Sequence, residues 1–218
     1  MKYLKLKNSD EKIPVGKMIG VGRNYAKHAL ELGNEVPKFP IIFLMPASVL
    51  VFDGDEIIYP EGSTDMHHEV ELVLLIGKEV KNATKEEAEE AIAGYGVGLD
   101  MTLRTLQNEL RKNGDPWTLA KVFDTSAVVS DIILKKDYML KGNEEIKLTI
   151  NGEVRQHSSI ENMIFDSVKI VEYLSSKFTL EKGDLIFTGT PEGVSAVNKG
   201  DILVCDLENI GTLTTKIV

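Results

Sequence analysis

Two histidines and two glutamates are clustered just ahead of a long apolar stretch. The segment His67–Glu71 runs directly into the apolar residues Leu72–Ile76. Side chains alternate between the two faces of a β-strand, so this pattern predicts that His67, Glu69 and Glu71 share one face. That face turns apolar immediately after Glu71, which predicts that the Glu71 carboxylate lies where the strand enters the core.

A carboxylate at the edge of a core must be paired, protonated or bound to a metal ion. The segment contains no Lys or Arg before Lys78, so a metal ion is one candidate partner. An amphipathic strand with two solvated glutamates is the simpler alternative. Carboxylate ligands without cysteines favour a hard cation, Mg²⁺ or Mn²⁺, whereas Zn²⁺ prefers more His or Cys ligands.

Asp100 is the natural third ligand for such a cation. It follows the glycine-rich segment Gly94–Leu99, which is predicted to be a strand, and it precedes a helical pattern. The alternative role for Asp100 is that of a helix N-cap, which is common for aspartate in this position.

A second chemical pair lies on the first predicted helix. His28 and Glu31 are three residues apart and therefore share a helix face. A carboxylate beside an imidazole orients the ring and raises its pKa, so the pair could activate a water molecule. A solvent-exposed surface pair is the alternative.

Other polar residues could serve an anionic ligand. Arg104 and Gln107 share a face of the helix after Asp100, although each alone would be interpreted as solvent-facing. Lys121 follows an apolar stretch, which predicts either partial desolvation or a side chain that extends to water. The segment Thr188–Gly193 is a Gly/Thr turn that offers hydroxyl and backbone N–H groups to a carboxylate.

The elements that must position these residues are short. Strands are predicted over residues 1–7, 17–22, 41–44 (buried), 67–78, 94–99, 126–134, 146–150, 153–156, 185–188, 202–207 and 213–218, and helices over 24–32, 84–92, 102–112 and 167–178. Capping-box patterns begin at Thr84 and Ser158, and Asn151-Gly152 predicts a hairpin turn. Many short strands with few helices predict a β-rich α+β roll or sandwich and argue against a βαβ array.

The composition limits the class of protein. The chain has 218 residues, 43% of them hydrophobic, and a net charge of 25 − 34 = −9 without a basic tract, so neither nucleic acid nor a membrane is an expected partner. The single cysteine, Cys205, excludes a disulfide within the chain. We expect a soluble cytoplasmic protein, because no leader pattern and no apolar run of about 18 residues occurs. Fingerprints of dinucleotide-binding, P-loop and serine-hydrolase sites are absent from the sequence.

Taken in chain order, these segments resemble the fumarylacetoacetate hydrolase family, in particular its short acylpyruvase and oxaloacetate decarboxylase members. The likeness extends from about Ile19 to Val218. It rests on Gly22-Arg23-Asn24-Tyr25 with His28 and Glu31, His67-His68-Glu69-Val70-Glu71-Leu72, Leu99-Asp100-Met101-Thr102 with Arg104 and Gln107, Trp117-Thr118-Leu119-Ala120-Lys121, Asn151-Gly152-Glu153 with Arg155-Gln156, and Thr188-Gly189-Thr190-Pro191.

The resemblance implies a mixed β-sandwich roll of that family's C-terminal-domain type, with a short lid helix. It implies one catalytic domain over residues 1–218, in which residues 1–16 form a short N-terminal strand segment, and it implies a homodimer. Its site would hold Mg²⁺ or Mn²⁺ through Glu69, Glu71 and Asp100. The residues implied in catalysis are His28, Glu31 and Lys121, and those implied in substrate binding are Arg23, Arg104, Gln107 and Thr190.

The activity that we expect from this resemblance is metal-dependent hydrolysis of the C–C bond of a 3-acylpyruvate, such as fumarylpyruvate or acetylpyruvate, through an enolate. Oxaloacetate decarboxylation and 2-oxo acid tautomerisation or isomerisation, as in 2-hydroxyhepta-2,4-diene-1,7-dioate isomerase, are alternatives at the same site. A non-enzymatic binding module is a further alternative. Three residues depart from the family pattern: Met45 where Lys is frequent, Thr105 where Asp is frequent and Ser195 where Gly is usual. The loss of a lysine at Met45 would remove a cation near the pocket.

Overall fold

The structure is a computed structural model that describes residues 1–31, 33 and 35–218, and it is rich in short strands. In chain order the strands are β1 (Tyr3–Leu6), β2 (Ser9–Pro14), β3 (Met18–Gly22), β4 (Ile41–Met45), β5 (Leu50–Phe52), β6 (Glu56–Ile57), β7 (Met66–His67), β8 (Val70–Ile76), β9 (Ile92–Asp100), β10 (Thr102–Leu103), β11 (Ala127–Val129), β12 (Ile133–Leu134), β13 (Glu145–Ile150), β14 (Glu153–Ser159), β15 (Leu185–Phe187), β16 (Ile202–Leu207) and β17 (Gly211–Ile217). The helices are α1 (Ala26–Glu31), α2 (Lys85–Ala91), α3 (Arg104–Asn113), α4 (Thr118–Lys121) and α5 (Ser167–Lys177).

Two mixed sheets organise these strands. The larger has eight strands in the order β4-β3-β15-β8-β9-β11-β5, with β12 paired to β9. The smaller has five strands in the order β14-β13-β16-β17-β6. Strands β3 and β15 are parallel, as are β5 and β11, while β8 and β9 are antiparallel. This curled pair of sheets is the β-rich α+β roll that the sequence predicted.

Strand β8 is buried on both faces, which explains its uninterrupted apolar sequence. Leu72 and Leu74 pack into a core shared with the smaller sheet and with helices α2 and α5. Val73 and Leu75 point the other way, into a second core that the β1–β2 hairpin covers with residues such as Leu4. A strand between two cores must carry apolar side chains on both sides, so period-two alternation disappears there.

Strand β9 comes so close to its neighbours that the face leading to Asp100 has glycine at three alternate positions, Gly94, Gly96 and Gly98. A Cβ atom added at Gly98 would lie 2.6 Å from Val73 Cγ2 and 2.8 Å from both Phe187 Cε1 and the Val128 carbonyl oxygen. Gly94 is equally confined, since its added Cβ would lie 2.6 Å from the Ile133 carbonyl oxygen. Glycine is therefore required at these positions for the close approach of backbone and neighbouring side chains.

Several predicted boundaries were wrong, and strand pairing explains them. The continuous strand predicted over 67–78 is two strands, because β7 pairs with β10 whereas β8 pairs with β9. The predicted helix 102–112 begins only at Arg104, since Thr102 and Leu103 belong to β10. The strand predicted over 126–134 is likewise divided into β11 and β12. Strand β4 was predicted to be buried, but it lies at the sheet edge and leaves Leu44 55% exposed.

Most local turn and cap signals in the sequence correspond to the turns and caps of the structure. The capping box at Thr84 is formed as predicted, with reciprocal bonds to Glu87 at the start of α2. Asn151 and Gly152 have positive φ angles and connect β13 to β14 as the predicted hairpin. The second capping pattern yields only a 3₁₀ turn, in which Ser159 accepts a bond from the Glu161 N–H group. No helix among the described residues is long and apolar enough to cross a membrane.

Candidate metal centre and active site

Three carboxylates converge where β8 and β9 lie side by side. Glu69 immediately precedes β8, Glu71 is its second residue and Asp100 ends β9. The Asp100 N–H group donates to the Glu69 carbonyl at 3.0 Å, and carboxylate oxygens of all three residues lie within 4.8 Å of one another. Asp100 is not the N-cap of α3, because Leu103 has that position, so its carboxylate remains available to the site.

Two buried cations from later in the chain pair with this triad. Lys121 Nζ donates to Glu69 Oε2 at 2.7 Å, Asp100 Oδ2 at 2.6 Å and Thr102 Oγ1 at 2.7 Å. The Arg104 guanidinium bonds to the other oxygen of Glu69. Lys121 is only 2% exposed, so its ammonium group does not extend to water. The solvated-glutamate alternative is also wrong, since Glu69 and Glu71 are both buried.

The pKa values of the three carboxyl groups are shifted in different directions. Burial pushes the pKa of Glu69 upward, but Lys121 and Arg104 overcome that effect and hold it well below its usual value. Burial, followed by the charges of Asp100 and Glu69, raises the pKa of Glu71 well above its usual value. Burial also raises the pKa of Asp100 to about 6, although Lys121 opposes this. With all three carboxylates ionised, as metal binding requires, the triad and its two cations would carry one excess negative charge.

The residues of the triad fit a divalent cation. Oxygen Oδ1 of Asp100 is buried and has no hydrogen-bond partner among the described residues, as expected for an atom that serves as a metal ligand. The donor set consists of oxygen atoms alone, which suits a hard cation such as Mg²⁺ or Mn²⁺. A divalent cation would convert the excess negative charge into an excess positive charge, which favours an anionic substrate.

The His28–Glu31 pair lies on α1 beside the triad. His28 is 3% exposed, and its Nδ1 atom lies 3.1 Å from Glu31 Oε2, so the surface-pair alternative is wrong for the imidazole. Because the Glu31 carboxylate accepts this bond, Nδ1 carries the proton and Nε2 is the basic nitrogen. Burial lowers the pKa of His28, although Glu69 and Glu31 oppose it, so the ring is neutral near neutral pH.

The structure describes two of the three residues that were predicted to form the apolar stripe of α1. Tyr25 and Ala29 are buried as expected, whereas Leu32 lies outside the described residues.

One cavity collects the predicted site residues. Every one of them except Glu31 lines it: Arg23, His28, Glu69, Glu71, Asp100, Arg104, Gln107, Lys121 and Thr190. Arg104 and Gln107 are both buried, with Arg104 Nη1 donating to Gln107 Oε1 at 2.5 Å, so the alternative that each faces solvent is wrong. The catalytic and binding roles of these residues remain predictions.

Arg111 and Trp117 also line this cavity, and the sequence reading missed both. A signal existed for Arg111, which is four residues after Gln107 and seven after Arg104 and therefore shares their face of α3. The Arg23 guanidinium lies 5.4 Å from the centre of the Trp117 ring, which is a cation–π contact. Arg23 has a φ angle of 59°, an unusual backbone conformation for a residue with a side chain.

The turn after β15 connects the triad to the His28–Glu31 pair. The Gly189 N–H group donates to Glu71 Oε2 at 2.7 Å, and the Gly193 N–H group donates to Glu31 Oε1 at 3.1 Å. The prediction that this turn offers N–H groups to a carboxylate is therefore realised with two carboxylates of the protein itself.

A buried polar chain that the sequence reading missed supports this turn. Gln156 Oε1 lies 2.8 Å from His68 Nδ1 and accepts from the Val70 N–H group at 3.1 Å. Gln156 Nε2 donates to Thr190 Oγ1 and to the Pro191 carbonyl, each at 2.8 Å. Nothing in the local sequence around Gln156 signals this role, because its partners lie more than thirty residues away on either side.

The three departures from the family pattern have definite positions. Ser195 Oγ lies 2.9 Å from His68 Nε2, and Thr105 Oγ1 donates to Asp65 Oδ2 at 3.0 Å. Met45 packs into the second apolar core and does not line the cavity. The neighbouring His67 bonds to Asp65 at 2.7 Å and is not part of the cavity lining.

Residues 17–218 match the family described as fumarylacetoacetate (FAA) hydrolase C-terminal. The chain belongs to the fumarylacetoacetate hydrolase family. It is 41% identical over 206 residues to oxaloacetate tautomerase YcgM of Escherichia coli, covering 94% of each chain. It is 41% identical over 197 residues to a mitochondrial oxaloacetate decarboxylase of Dictyostelium discoideum, covering 90% of each.

A solved member of the fumarylacetoacetate hydrolase family has the same fold throughout. The crystal structure of fumarylpyruvate hydrolase from Pseudomonas aeruginosa in complex with Mn²⁺ and pyruvate superposes with a TM-score of 0.96 at 40% identity, covering 100% of this chain and 95% of that one. The family resemblance drawn from the sequence is thus confirmed, together with the fold class.

Proposed function

We propose that the chain is a divalent-metal-dependent enzyme that interconverts the keto and enol forms of a small 2-oxo dicarboxylic acid, with oxaloacetate as the first candidate substrate. The observation that carries the proposal is the position of His28 in the same cavity as the carboxylate triad. A base opposite a cation site is the arrangement that enolisation of a 2-oxo acid requires.

The protein's own residues would divide this reaction between proton transfer and charge stabilisation. His28, held by Glu31 with Nε2 unprotonated, would remove a proton from the carbon next to the keto group, and the imidazolium so formed would deliver that proton to the enolate oxygen to give the enol. Lys121 and Arg104 would add positive charge beside the oxygen on which negative charge develops. Bound Mg²⁺ or Mn²⁺ would supply Lewis-acid polarisation of that oxygen.

The names of two relatives support oxaloacetate as the substrate, since one is an oxaloacetate tautomerase and the other an oxaloacetate decarboxylase. The cations Arg23 and Arg111 line the cavity in addition to Arg104 and Lys121, which suits a substrate with two carboxylates.

Hydrolysis of a 3-acylpyruvate, the activity expected from the sequence, is the second candidate. The structural similarity to a fumarylpyruvate hydrolase and the orientation of His28 by Glu31 favour it. In that reaction His28 would deprotonate a water molecule that attacks the distal carbonyl, and C–C cleavage would release the enolate of pyruvate and a carboxylic acid. Both candidates require the base and the triad, and they differ in whether water enters the cavity.

The test is a side-by-side assay of oxaloacetate tautomerisation, oxaloacetate decarboxylation, and hydrolysis of fumarylpyruvate and acetylpyruvate. We expect tautomerisation to be the fastest, to disappear with excess chelator and to return with Mg²⁺ or Mn²⁺. Full activity in excess chelator would contradict the proposed metal dependence. If either acylpyruvate is hydrolysed faster than oxaloacetate is tautomerised, acylpyruvate hydrolysis becomes the first candidate.

The role of His28 can be tested in the same assay. His28→Ala should reduce tautomerisation by about 10²–10⁴-fold, the usual contribution of a positioned general base. His157→Ala is the matched control, because His157 is exposed on β14 and pairs with Glu145 away from the cavity. Equal activities of the two variants would remove His28 from the mechanism.

Homodimer formation and a cytoplasmic location belong to the same proposal. Gel filtration with light scattering tests the first, and fractionation of cells that express the chain tests the second.

A further inference from the structure

The side-chain amide of Gln156 has a fixed orientation, because each of its ends contacts a backbone group. The Val70 N–H group can only donate, so the atom 3.1 Å from it must be the amide oxygen. The Pro191 carbonyl can only accept, so the atom 2.8 Å from it must be the amide nitrogen. Gln156 is 1% exposed, and a flipped amide would therefore oppose like groups at both ends without water to relieve them.

This orientation determines how the Thr190 hydroxyl can bond. Gln156 Nε2 lies 2.8 Å from Thr190 Oγ1 and must donate to it, so a lone pair of that hydroxyl is occupied. A hydroxyl has one proton to donate, and here that proton is directed away from Gln156. Thr190 is buried and lines the cavity beside the triad, so its hydroxyl is available there as a donor.

The orientation of the Gln156 amide also determines which ring nitrogen of His68 carries a proton. Because the Gln156 amide oxygen accepts, His68 Nδ1 at 2.8 Å must carry a proton. Ser195 Oγ lies 2.9 Å from the other ring nitrogen of His68, Nε2. Hydrogen bonds therefore run in one direction from His68 through Gln156 to Thr190.

We propose that Gln156 is a positioning residue that commits the Thr190 hydroxyl to donate its proton to a carboxylate of the substrate in the cavity. The proposal rests on the proposed function, since it assumes an anionic 2-oxo acid at this site. It goes beyond that function by explaining why this threonine favours an anion over a ligand group that donates hydrogen bonds. Gln156 does not line the cavity itself and acts only through Thr190.

The direct experiment reverses the hydrogen bond between residue 156 and Thr190. Pyruvate binding is measured in the presence of Mn²⁺. Gln156→Glu keeps the shape and, when ionised, offers only acceptors, so the Thr190 hydroxyl should then turn toward the new carboxylate. We expect pyruvate affinity to fall about 10–100-fold, as for a lost hydrogen bond to a charged group, while Mn²⁺ affinity is unchanged. KM for the turned-over 2-oxo acid should rise more than kcat falls.

A double-mutant cycle separates this role from a structural one. Thr190→Val should weaken pyruvate binding by the same factor, Thr190→Ser should restore most of it, and Gln156→Glu should add little in the Thr190→Val background. Additive losses, or a Thr190→Ser variant as weak as Thr190→Val, would overturn the proposal. The two Thr190 variants keep the test decisive if Gln156→Glu does not fold.

A spectroscopic readout is independent of substrate. Imidazole ¹⁵N spectra should show His68 protonated at Nδ1, with the signal assigned by comparison with His68→Asn among the four histidines of the chain. Protonation at Nε2 alone would overturn the direction of the chain. Failure of the wild-type protein to bind pyruvate would instead refute the proposed function and, with it, the role of Thr190 toward substrate.

Discussion

Lys121→Met should destabilise the metal-free protein and make it more responsive to a divalent cation. The substitution keeps an unbranched side chain of similar length but removes the ammonium group that bonds to Glu69, Asp100 and Thr102. The carboxylates of Glu69 and Asp100 remain buried, and of the two cations paired with the triad only Arg104 remains. We also expect most of kcat to be lost while metal binding is retained.

The size of the effect follows from the burial of these groups. Removing one partner of a buried ion pair costs about 3–5 kcal/mol. For a chain of this length each kcal/mol shifts Tm by roughly 2–4 °C, so Tm in chelator should fall by about 6–20 °C. The more negative site should also bind Mn²⁺ more tightly, and each tenfold gain in affinity adds about 1.4 kcal/mol to the stabilisation at saturating Mn²⁺. That gain enlarges the Mn²⁺-induced rise in Tm by about 3–6 °C.

The assay is thermal unfolding in chelator and in saturating Mn²⁺, with Lys17→Met as the control. Lys17 pairs with the fully buried Asp184, which is not part of the cavity lining. Its loss should lower Tm in both conditions without changing the response to Mn²⁺. A Lys121→Met variant with an unchanged Tm in chelator, or with the same Mn²⁺ response as wild type, would refute the reasoning.

Two further predictions concern the other acidic residues. Glu71→Gln should fold and should be no less stable than wild type in chelator above neutral pH. The reason is that the raised pKa of Glu71 makes its charged form unfavourable in the folded protein. Mn²⁺ titration of this variant should nevertheless show weaker binding. Glu31→Gln should move the acid limb of kcat/KM to lower pH, because the hydrogen bond that His28 Nδ1 donates to the Glu31 carboxylate raises the pKa of His28. A pH–rate profile measures this shift, and a limb that stays in place or moves upward would contradict the proposed pairing.

The sequence was sufficient to predict the strand-rich class and most local signals, but not the order of the strands. Hydrophobic alternation describes which residues are buried and not which strand lies beside which. The placement of β15 between β3 and β8 depends on pairings more than a hundred residues apart. The split between β7 and β8 has the same origin, since a change of pairing partner leaves no mark on the pattern of side chains.

For the site, the sequence was sufficient to predict which residues take part, but not how deeply they are buried or which partners they bond to. The convergence of Glu69, Glu71 and Asp100 was anticipated, but their pairing with Lys121 and Arg104 was not deduced from the local sequence. Arg104 alone would be interpreted as solvent-facing, and the apolar stretch before Lys121 left two positions open for its ammonium group. Tertiary packing decides the burial of both cations. Gln156 belongs to a segment that carries the family resemblance, but its role in the site was not predicted, because it is one polar residue of an otherwise ordinary hairpin.

The glycine face of β9 limits how this active site can diverge. Any side chain at Gly98 would collide with backbone and side-chain atoms at once, so the strand that ends in Asp100 tolerates almost no variation there. The cavity rim is under no comparable restriction, since Trp117 and Arg111 lie on or beside short helices. Selection for a new substrate, in nature or in a directed library, would therefore accumulate changes around the rim and leave the strand under the triad as it is.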